Sequence, residues 1–258
     1  MAELLSEREV VNLHETTEIS LIAMAEKPQV LRSDIGPVRL PGRERDNAAV
    51  SVHVQFGAYL PHWTCPGGIY AITFRLADSL PQKLLASLAQ ERDEIVRRAA
   101  SNKRSLSRSE VQRLTRLYEE RIEKFLNQGI GQCRLREDRA AECVRDALLH
   151  FDGDRYDLVV WCVMPNHVHV VVHPRERVEI AKICHSWKSF TANRINQLQQ
   201  LSGTLWQKES YDHLIRDEDD YNHAIEYVLE NPVVAGLKNW KWVGYGGGFQ
   251  AVTNAVYG

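Results

Sequence analysis

The sequence holds no Cys-x-x-Cys pair, no excess of basic residues and no apolar run long enough to cross a bilayer. Each absence removes a class of protein. The five cysteines (Cys65, Cys133, Cys143, Cys162 and Cys184) are odd in number and scattered. That excludes a disulfide scaffold or zinc knuckle and fits reduced thiols serving as small apolar groups. The longest near-apolar run, Leu158 to Pro165, falls far short of the roughly 20 residues a membrane helix needs. The opening stretch MAELLSEREVVN is acidic and has no apolar h-region, so no secretory signal is read there and the cytoplasm is the expected compartment. Lys+Arg is 32 against 34 Asp+Glu, a formal charge of −2, which argues against a protein that coats nucleic acid by bulk charge. What is present is an ordinary globular composition, 44% hydrophobic and 26% charged over 258 residues. That is enough chain to bury a sizeable core without staples.

Along the chain the order is mixed. Ser6 and Glu9 are spaced as a capping box, predicting a helix to about Ala25, and Gly36-Pro37 and Pro41-Gly42 are turn signals. Residues 1–57 are read as an N-terminal extension. Val50 to Phe56 and Ile69 to Leu76 alternate as strands. From Pro81 to about Gln128 the pattern is helical, with a second capping box at Ser107 and Glu110. Asp138 to His150 predicts an amphipathic helix. Tyr156 to Met164 and His167 to His173 then predict two strands joined by a two-residue turn at Pro165-Asn166. A helix over about 178–200, a strand over 205–215 and a helix from about Asp217 to Glu230 follow, the last stopped by Asn231-Pro232. The class is α+β, with strands on either side of a helical insertion at about 81–130. Residues 241–258 are read as a C-terminal tail.

The near-zero charge is a cancellation. Residues 1–50 carry −3, 81–130 carry +4, 181–210 carry +3 and 211–230 carry −6. Between Arg97 and Arg116 seven basic residues face one acid, Glu110. A lone charge run is most often a solvated helix face. Two basic helices and one acidic block also suit a second arrangement, in which the helices hold a phosphate backbone and the acids sit near a cation.

The sharpest chemical feature is His167-Val168-His169. On a strand, residues i and i+2 share a face, so two imidazoles can lean onto one divalent cation while the valine packs on the opposite side. His173 shares their parity but lies two pleats on. A single strand histidine is usually a satisfied one; two on an otherwise apolar strand need partners. Tyr227 and Asn231, at i and i+4, share a helix face. Taken alone, Tyr227 reads as a core tyrosine and Asn231 as a C-cap. Tyr211 and Tyr221 are rival nucleophiles, and Glu230 is a further candidate near the ion. A metallohydrolase built on His-x-His is the least favoured reading, because no downstream His/Asp set completes it.

Together these residues carry a family resemblance. Val163-Met-Pro-Asn-His-Val-His-Val-Val-Val-His173 resembles the His-hydrophobic-His (HUH) motif of the single-tyrosine transposases, and most closely the REP-associated tyrosine transposases. Gly68 to Ala77, Leu205-Trp-Gln207, His213 to Tyr221 and Tyr227-Val-Leu-Glu-Asn-Pro232 extend the resemblance over about residues 58–240. It implies a ferredoxin-like or palm-like antiparallel sheet with helices. It implies His167, His169 and Asn231 as ligands of Mg²⁺ or Mn²⁺, and Tyr227 as a nucleophile that nicks single-stranded or hairpin DNA through a 5′-phosphotyrosine. Arg97, Arg98, Lys103, Arg104, Arg108, Trp187, Lys188, Arg194 and Trp206 are candidate DNA contacts, the tryptophans by stacking. No membrane partner is expected, and the protein is expected to act as a monomer or homodimer. The extension and the long insertion have no counterpart in the pattern. They leave room for a domesticated protein that binds hairpin DNA or RNA without cutting it.

Overall fold

The computed structural model describes residues 53–56, 61–102, 104, 106–107, 109–110, 113–114 and 121–257, with the side chains at 53–56, 61 and 63 outside the description. The expected helix near Ser6, and with it the N-terminal extension up to residue 52, lies outside these residues. Lys103 and Arg108 lie outside them as well.

Five strands form one antiparallel sheet. They are β3 (Tyr70–Arg75), β4 (Tyr156–Val163), β5 (His167–Pro174), β6 (Tyr211–Leu214) and β7 (Val243–Tyr245). The order across the sheet is β6-β3-β5-β4-β7. A separate two-stranded ribbon pairs β1 (His53–Phe56) with β2 (Pro61–Thr64). The helices are α1 (Gln82–Ser101), α2 (Glu123–Leu126), α3 (Asp138–Leu149), α4 (Ile180–Leu198), α5 (Glu218–Val234) and α6 (Phe249–Tyr257). The expected α+β antiparallel architecture is what the chain forms.

The sheet is buried on both faces, and strand parity decides what each face carries. One face sends Tyr70, Ile72, Phe74, Val168, Val170 and Val172 into a core with Ala141, Val144 and Leu148 of α3 and Ile183, Trp187 and Ile195 of α4. The opposite face sends Val160, Cys162 and Val171 against Tyr221, Ala224 and Val228 of α5 and Val252 and Val256 of α6. In β4 the alternation is shifted by a bulge between Leu158 and Val160. The extra residue lets Leu158 and Trp161, three apart, reach the same core. The bulge carbonyls are satisfied from the far end of the chain, by Gly246 N on Val159 O (3.0 Å) and Gly248 N on Leu158 O (3.1 Å). A side chain at Gly246 would overlap the Leu158 backbone, so only glycine permits that approach.

Three sequence readings are corrected here. The helix expected to stop at Asn231-Pro232 continues through Pro232 to Val234, with Ala235 as C-cap. Proline this late in a helix forfeits one backbone bond and does not end it, so Asn231 is an internal helix residue. Only Tyr211–Leu214 of the strand expected over 205–215 is a strand, with Trp206 joined to Leu76 by an isolated bridge. The stretch set apart as a tail supplies β7 and α6, because its three-residue strand and run of glycines are too short a signal to read as an element.

The expected capping box at the insertion is formed. Glu110 N donates to Ser107 Oγ (3.3 Å), and Glu110 Oε2 accepts from Ser107 N (2.8 Å).

Trp187 and Trp206 are core residues, 2% and 4% exposed. Trp187 Nε1 donates to Tyr156 Oη (2.8 Å), which donates to Leu148 O (2.8 Å), tying α4 to β4 and α3. Trp206 Nε1 donates to Thr191 Oγ1 (2.9 Å), and its ring meets Phe74 edge-on at 4.9 Å. Replacing Tyr156 with Phe keeps the volume but leaves the buried Trp187 N–H unsatisfied. Tyr156→Phe is therefore expected to lower the unfolding free energy by about 1–3 kcal/mol, measured by urea denaturation with an unchanged m-value. An unaltered midpoint would show that this polar chain does not contribute.

Candidate active site on the central strand

The site sits on the middle strand of the sheet. Val168, Val170 and Val172 turn toward α3 and α4, so parity sends His167 and His169 to the α5 face. Both rings are buried, at 1% and 2% exposure. Their centroids lie 4.5 Å apart with planes at 84°. Helix α5 crosses this face and brings Tyr227, whose ring stands 5.2 Å from His169 at 86°. One turn on, Asn231 is buried (2% exposed) and lies close enough to His167 to act on its protonation. The structure thus brings His167, His169, Tyr227 and Asn231 together at one place.

Each histidine is held by its Nδ1. His167 Nδ1 meets Asn166 Oδ1 at 2.6 Å, and His169 Nδ1 meets Thr73 Oγ1 at 2.7 Å. The two Nε2 atoms and Asn231 Oδ1 are buried without a hydrogen-bond partner. Buried polar atoms rarely stay unsatisfied, so this trio has the chemistry of a cation site: two imidazole nitrogens and an amide oxygen. Among the described residues no cluster of three His, Cys, Asp or Glu side chains exists. Asn231 Oδ1 could serve as a third protein donor beside the histidines. Such a set could hold a divalent cation with positions left over for water.

Burial keeps both rings neutral. His167 is pushed well below the usual histidine range, first by desolvation and then by its neighbour His169, with Asn231 opposing. Desolvation alone brings His169 down to about 3. Neutral imidazole is the form that binds metal.

The other candidates separate clearly. Tyr221 is fully buried against α6, with its hydroxyl 3.0 Å from Thr253 Oγ1, so packing removes it as a nucleophile. Tyr211 is half-buried and packs against the insertion cluster of Leu80, Leu85, Leu88, Ile122 and Leu126. His173 lines a separate cleft with Cys65, Tyr70 and Arg177. Glu230 is exposed, unlike its neighbour Asn231.

The acidic block does not gather at the site. Glu218, Asp219 and Asp220 occupy the first turn of α5, where they complement the helix dipole. That turn is roughly 16 Å along the axis from Asn231, at 1.5 Å per residue. Asp217 caps it through Asp220 N (2.9 Å), and Asp220 binds His213 Nε2 (2.8 Å). Asp212 is buried on the other face, bonded to His62.

The expected DNA contacts are corrected in part. Trp187 and Trp206, being core residues, offer no free ring face for a base. Arg98 pairs with Glu94 (3.1 Å) and Arg104 with Glu110 (2.7 Å). Arg113 and Arg121, on the same insertion, share Glu91. Lys188 is half-buried, its ammonium donating to Lys208 O (2.7 Å). Arg97 is exposed and donates to Asp93 O (3.1 Å), and exposed Arg194 donates to Gln197 Oε1 (3.2 Å). Most of these guanidinium groups are matched to nearby acids, so the insertion is less bare of counter-charge than its composition suggests.

Sequence reasoning missed Thr73, Asn166 and Arg75. Arg75 is 5% exposed and directly opposite His167 in the β3–β5 register. Its signal was a single charge inside the apolar strand Ile69 to Leu76. Thr73 shares its parity, and Asn166 immediately precedes the first histidine.

Residues 136–231 match the family model described as "Transposase IS200 like". That segment encloses both histidines, the tyrosine and the asparagine. A Haemophilus influenzae relative grouped with the REP-associated tyrosine transposases is 28% identical over 102 residues, covering 34% of this chain and 57% of the relative. The REP-associated tyrosine transposase of Escherichia coli K12 is 26% identical over 98 residues, covering 37% of this chain and 56% of its own. The matched stretch thus spans little more than half the length of these relatives. A solved REP-associated tyrosine transposase bound to a REP hairpin aligns over 75% of this chain and 84% of that one, at 17% identity and a TM-score of 0.40. Residues 136–231 are thus similar to the IS200-like transposases. Within that family, the resemblance is to the REP-associated tyrosine transposases. No helix among the described residues is long and apolar enough to cross a membrane.

In the unfolded chain a histidine titrates near 6.5, well above the folded value of about 3 for His169. Between these values the unfolded state binds the extra proton, so stability rises with pH there and is lost as pH falls below about 6.5. In metal-free protein, His169→Gln is expected to flatten that loss by up to about 1.4 kcal/mol per pH unit, measured by urea denaturation across the window. An unchanged slope would mean that the folded ring accepts a proton.

Proposed function

We propose that this chain is a divalent-metal-dependent single-strand DNA nuclease and strand transferase. It acts at hairpin-forming, REP-like palindromic repeats through a 5′-phosphotyrosine on Tyr227. The observation that carries the reading is the convergence of Tyr227 with three bare, buried acceptor atoms, His167 Nε2, His169 Nε2 and Asn231 Oδ1. The family match of residues 136–231 and the names of the matched relatives support it.

His167, His169 and Asn231 would hold Mg²⁺ or Mn²⁺, which when bound polarises the scissile phosphate and offsets the charge of the transition state. The protein's own residues do the rest. Asn166 and Thr73 fix the two rings through their Nδ1 atoms, so neither imidazole has to reorganise during reaction. Helix α5 carries nucleophile and third ligand one turn apart, so a single rigid element sets their spacing. A phenol with a pKa of about 10 is a weak nucleophile near neutrality, so its proton must pass to a base as it attacks. The Tyr227 oxygen forms a bond to phosphorus. The bond from phosphorus to the 3′ oxygen breaks, and that oxygen leaves as a 3′-hydroxyl after taking up a proton. The phosphotyrosine linkage conserves the energy of the broken diester, so a 3′-hydroxyl can attack it and reseal or join strands without ATP. We assign this chemistry to residues 58–240, in the cytoplasm, on single-stranded or hairpin DNA.

The test is a hairpin oligonucleotide with single-stranded flanks, labelled at its 3′ end. Wild-type protein with Mn²⁺ or Mg²⁺ is expected to give a labelled covalent adduct on a denaturing gel. Tyr227→Phe, or wild type in chelator, gives none. Hairpin binding without any adduct from the wild type at any metal concentration would instead mark a non-cleaving nucleic-acid-binding protein. An adduct that survives Tyr227→Phe would assign the nucleophile elsewhere.

A further inference from the structure

We infer that Asn166 is a positioning residue that sets the tautomer of His167, and that the end of the helical insertion dictates how Asn166 does so. The consequence for metal binding rests on the function proposed above; the tautomer assignment does not.

Asn166 is fully buried, the last of the three residues between β4 and β5. Its backbone oxygen accepts from Leu76 N at 2.9 Å, anchoring the turn to the end of β3. Its side-chain Nδ2 donates to two backbone carbonyls at the close of the insertion, Leu126 O (3.3 Å) and Ile130 O (3.0 Å). Its Oδ1 meets His167 Nδ1 at 2.6 Å.

The donor and acceptor roles follow by elimination. A carbonyl oxygen can only accept, so the end of the amide facing Leu126 and Ile130 has to be the NH₂ group. The other end, facing the ring, is then the amide oxygen, which also only accepts. His167 Nδ1 therefore carries the proton. A neutral imidazole has one N–H, so Nε2 is left with a bare lone pair. Two carbonyls of the insertion thus decide which nitrogen of His167 is free to bind a cation. His169 has no such arrangement, because the Thr73 hydroxyl beside its Nδ1 can donate or accept.

The carbonyls are themselves fixed. Leu126 ends α2 inside the insertion's own apolar cluster. Gly129 and Gly131 follow with φ of +65° and +92°. A side chain at Gly131 would collide with the Asp78 carbonyl at 2.6 Å. Gln132 N donates to Asp78 Oδ2 at 2.8 Å, pinning the loop just beyond β3. A shift of this loop would move the hydrogen bonds that orient Asn166, and through them the ring.

The experiment uses the full chain, labelled with ¹⁵N-histidine and free of metal, with long-range proton–nitrogen correlation spectra assigned by a His167→Gln control. Wild-type His167 is expected as a single Nδ1–H tautomer. In Asn166→Ala it is expected to become mixed or Nε2–H, with Mn²⁺ affinity by calorimetry reduced about 10- to 100-fold and the His169 signals unmoved. Asn166→Asp keeps an acceptor toward the ring but sets an oxygen against two carbonyls. It is expected to lower Tm while the Nδ1–H form persists. Loss of that form in Asn166→Asp overturns the inference, and so does an Nε2–H His167 in the wild type. An Asn166→Ala protein with tautomer and affinity unchanged overturns it too, since a purely structural asparagine would lower Tm alone. If wild type binds no Mn²⁺ the proposed metal site fails, while the tautomer result still decides this inference.

Discussion

The structure depends on one constraint: β5 is the middle strand of a sheet buried on both faces. Alternation then has to serve two environments at once. Val168, Val170 and Val172 go to the core beneath α3 and α4. The residues between them go to the face covered by α5. A histidine at 167 or 169 is costly there unless its ring nitrogens are met. The local design follows from meeting that cost. Asn166 and Thr73 take one nitrogen of each ring. The other nitrogen of each ring is left bare beside Tyr227 and Asn231.

The same logic orders the charges. An acidic stretch and two basic ones could have met at the site. Instead the acids cluster where a helix begins, and most of the described insertion arginines sit against carboxylates a few ångströms away. His167, His169, Tyr227 and Asn231 bring no acid to the site, and the residue opposite His167 in the register is the cationic Arg75. The site's polarity comes from buried imidazole and amide atoms that have no hydrogen-bond partner.

Much of this was legible in the sequence. A His-x-His pattern on an apolar run fixes both histidines on one side of a strand, because the period of two leaves no alternative. The i, i+4 spacing of Tyr227 and Asn231 likewise fixes a shared helix face. The capping box at Ser107 and Glu110 is a local chemical signal, and it formed as read. What was not legible depends on contacts distant in sequence. Nothing near Trp187 shows that Tyr156 will accept its N–H, so a buried tryptophan passed for a stacking surface. Nothing near Asn231 shows that the helix survives Pro232, since a proline late in a helix costs one bond whether the helix stops or continues. Thr73 lies almost a hundred residues before His169, and only the β3–β5 register joins them. β7 has three residues, fewer than alternation needs to show itself.

The bulge in β4 has a consequence for how this chain can change over time. Leu158 and Val159 give their carbonyls to the glycines at 246 and 248. The irregularity in mid-strand and the glycine run some ninety residues later are therefore one joint made of two parts. Each part would look like a defect alone: a strand out of phase, and a stretch too rich in glycine to hold a shape. Loss of Val159 would leave Leu158 and Trp161 two apart and still on one face of a regular strand, but it would take away the carbonyl that Gly246 N meets. The tolerance of β4 is thus for side chains of similar bulk and not for length. Any lineage that altered the length of one segment would have to alter the other with it.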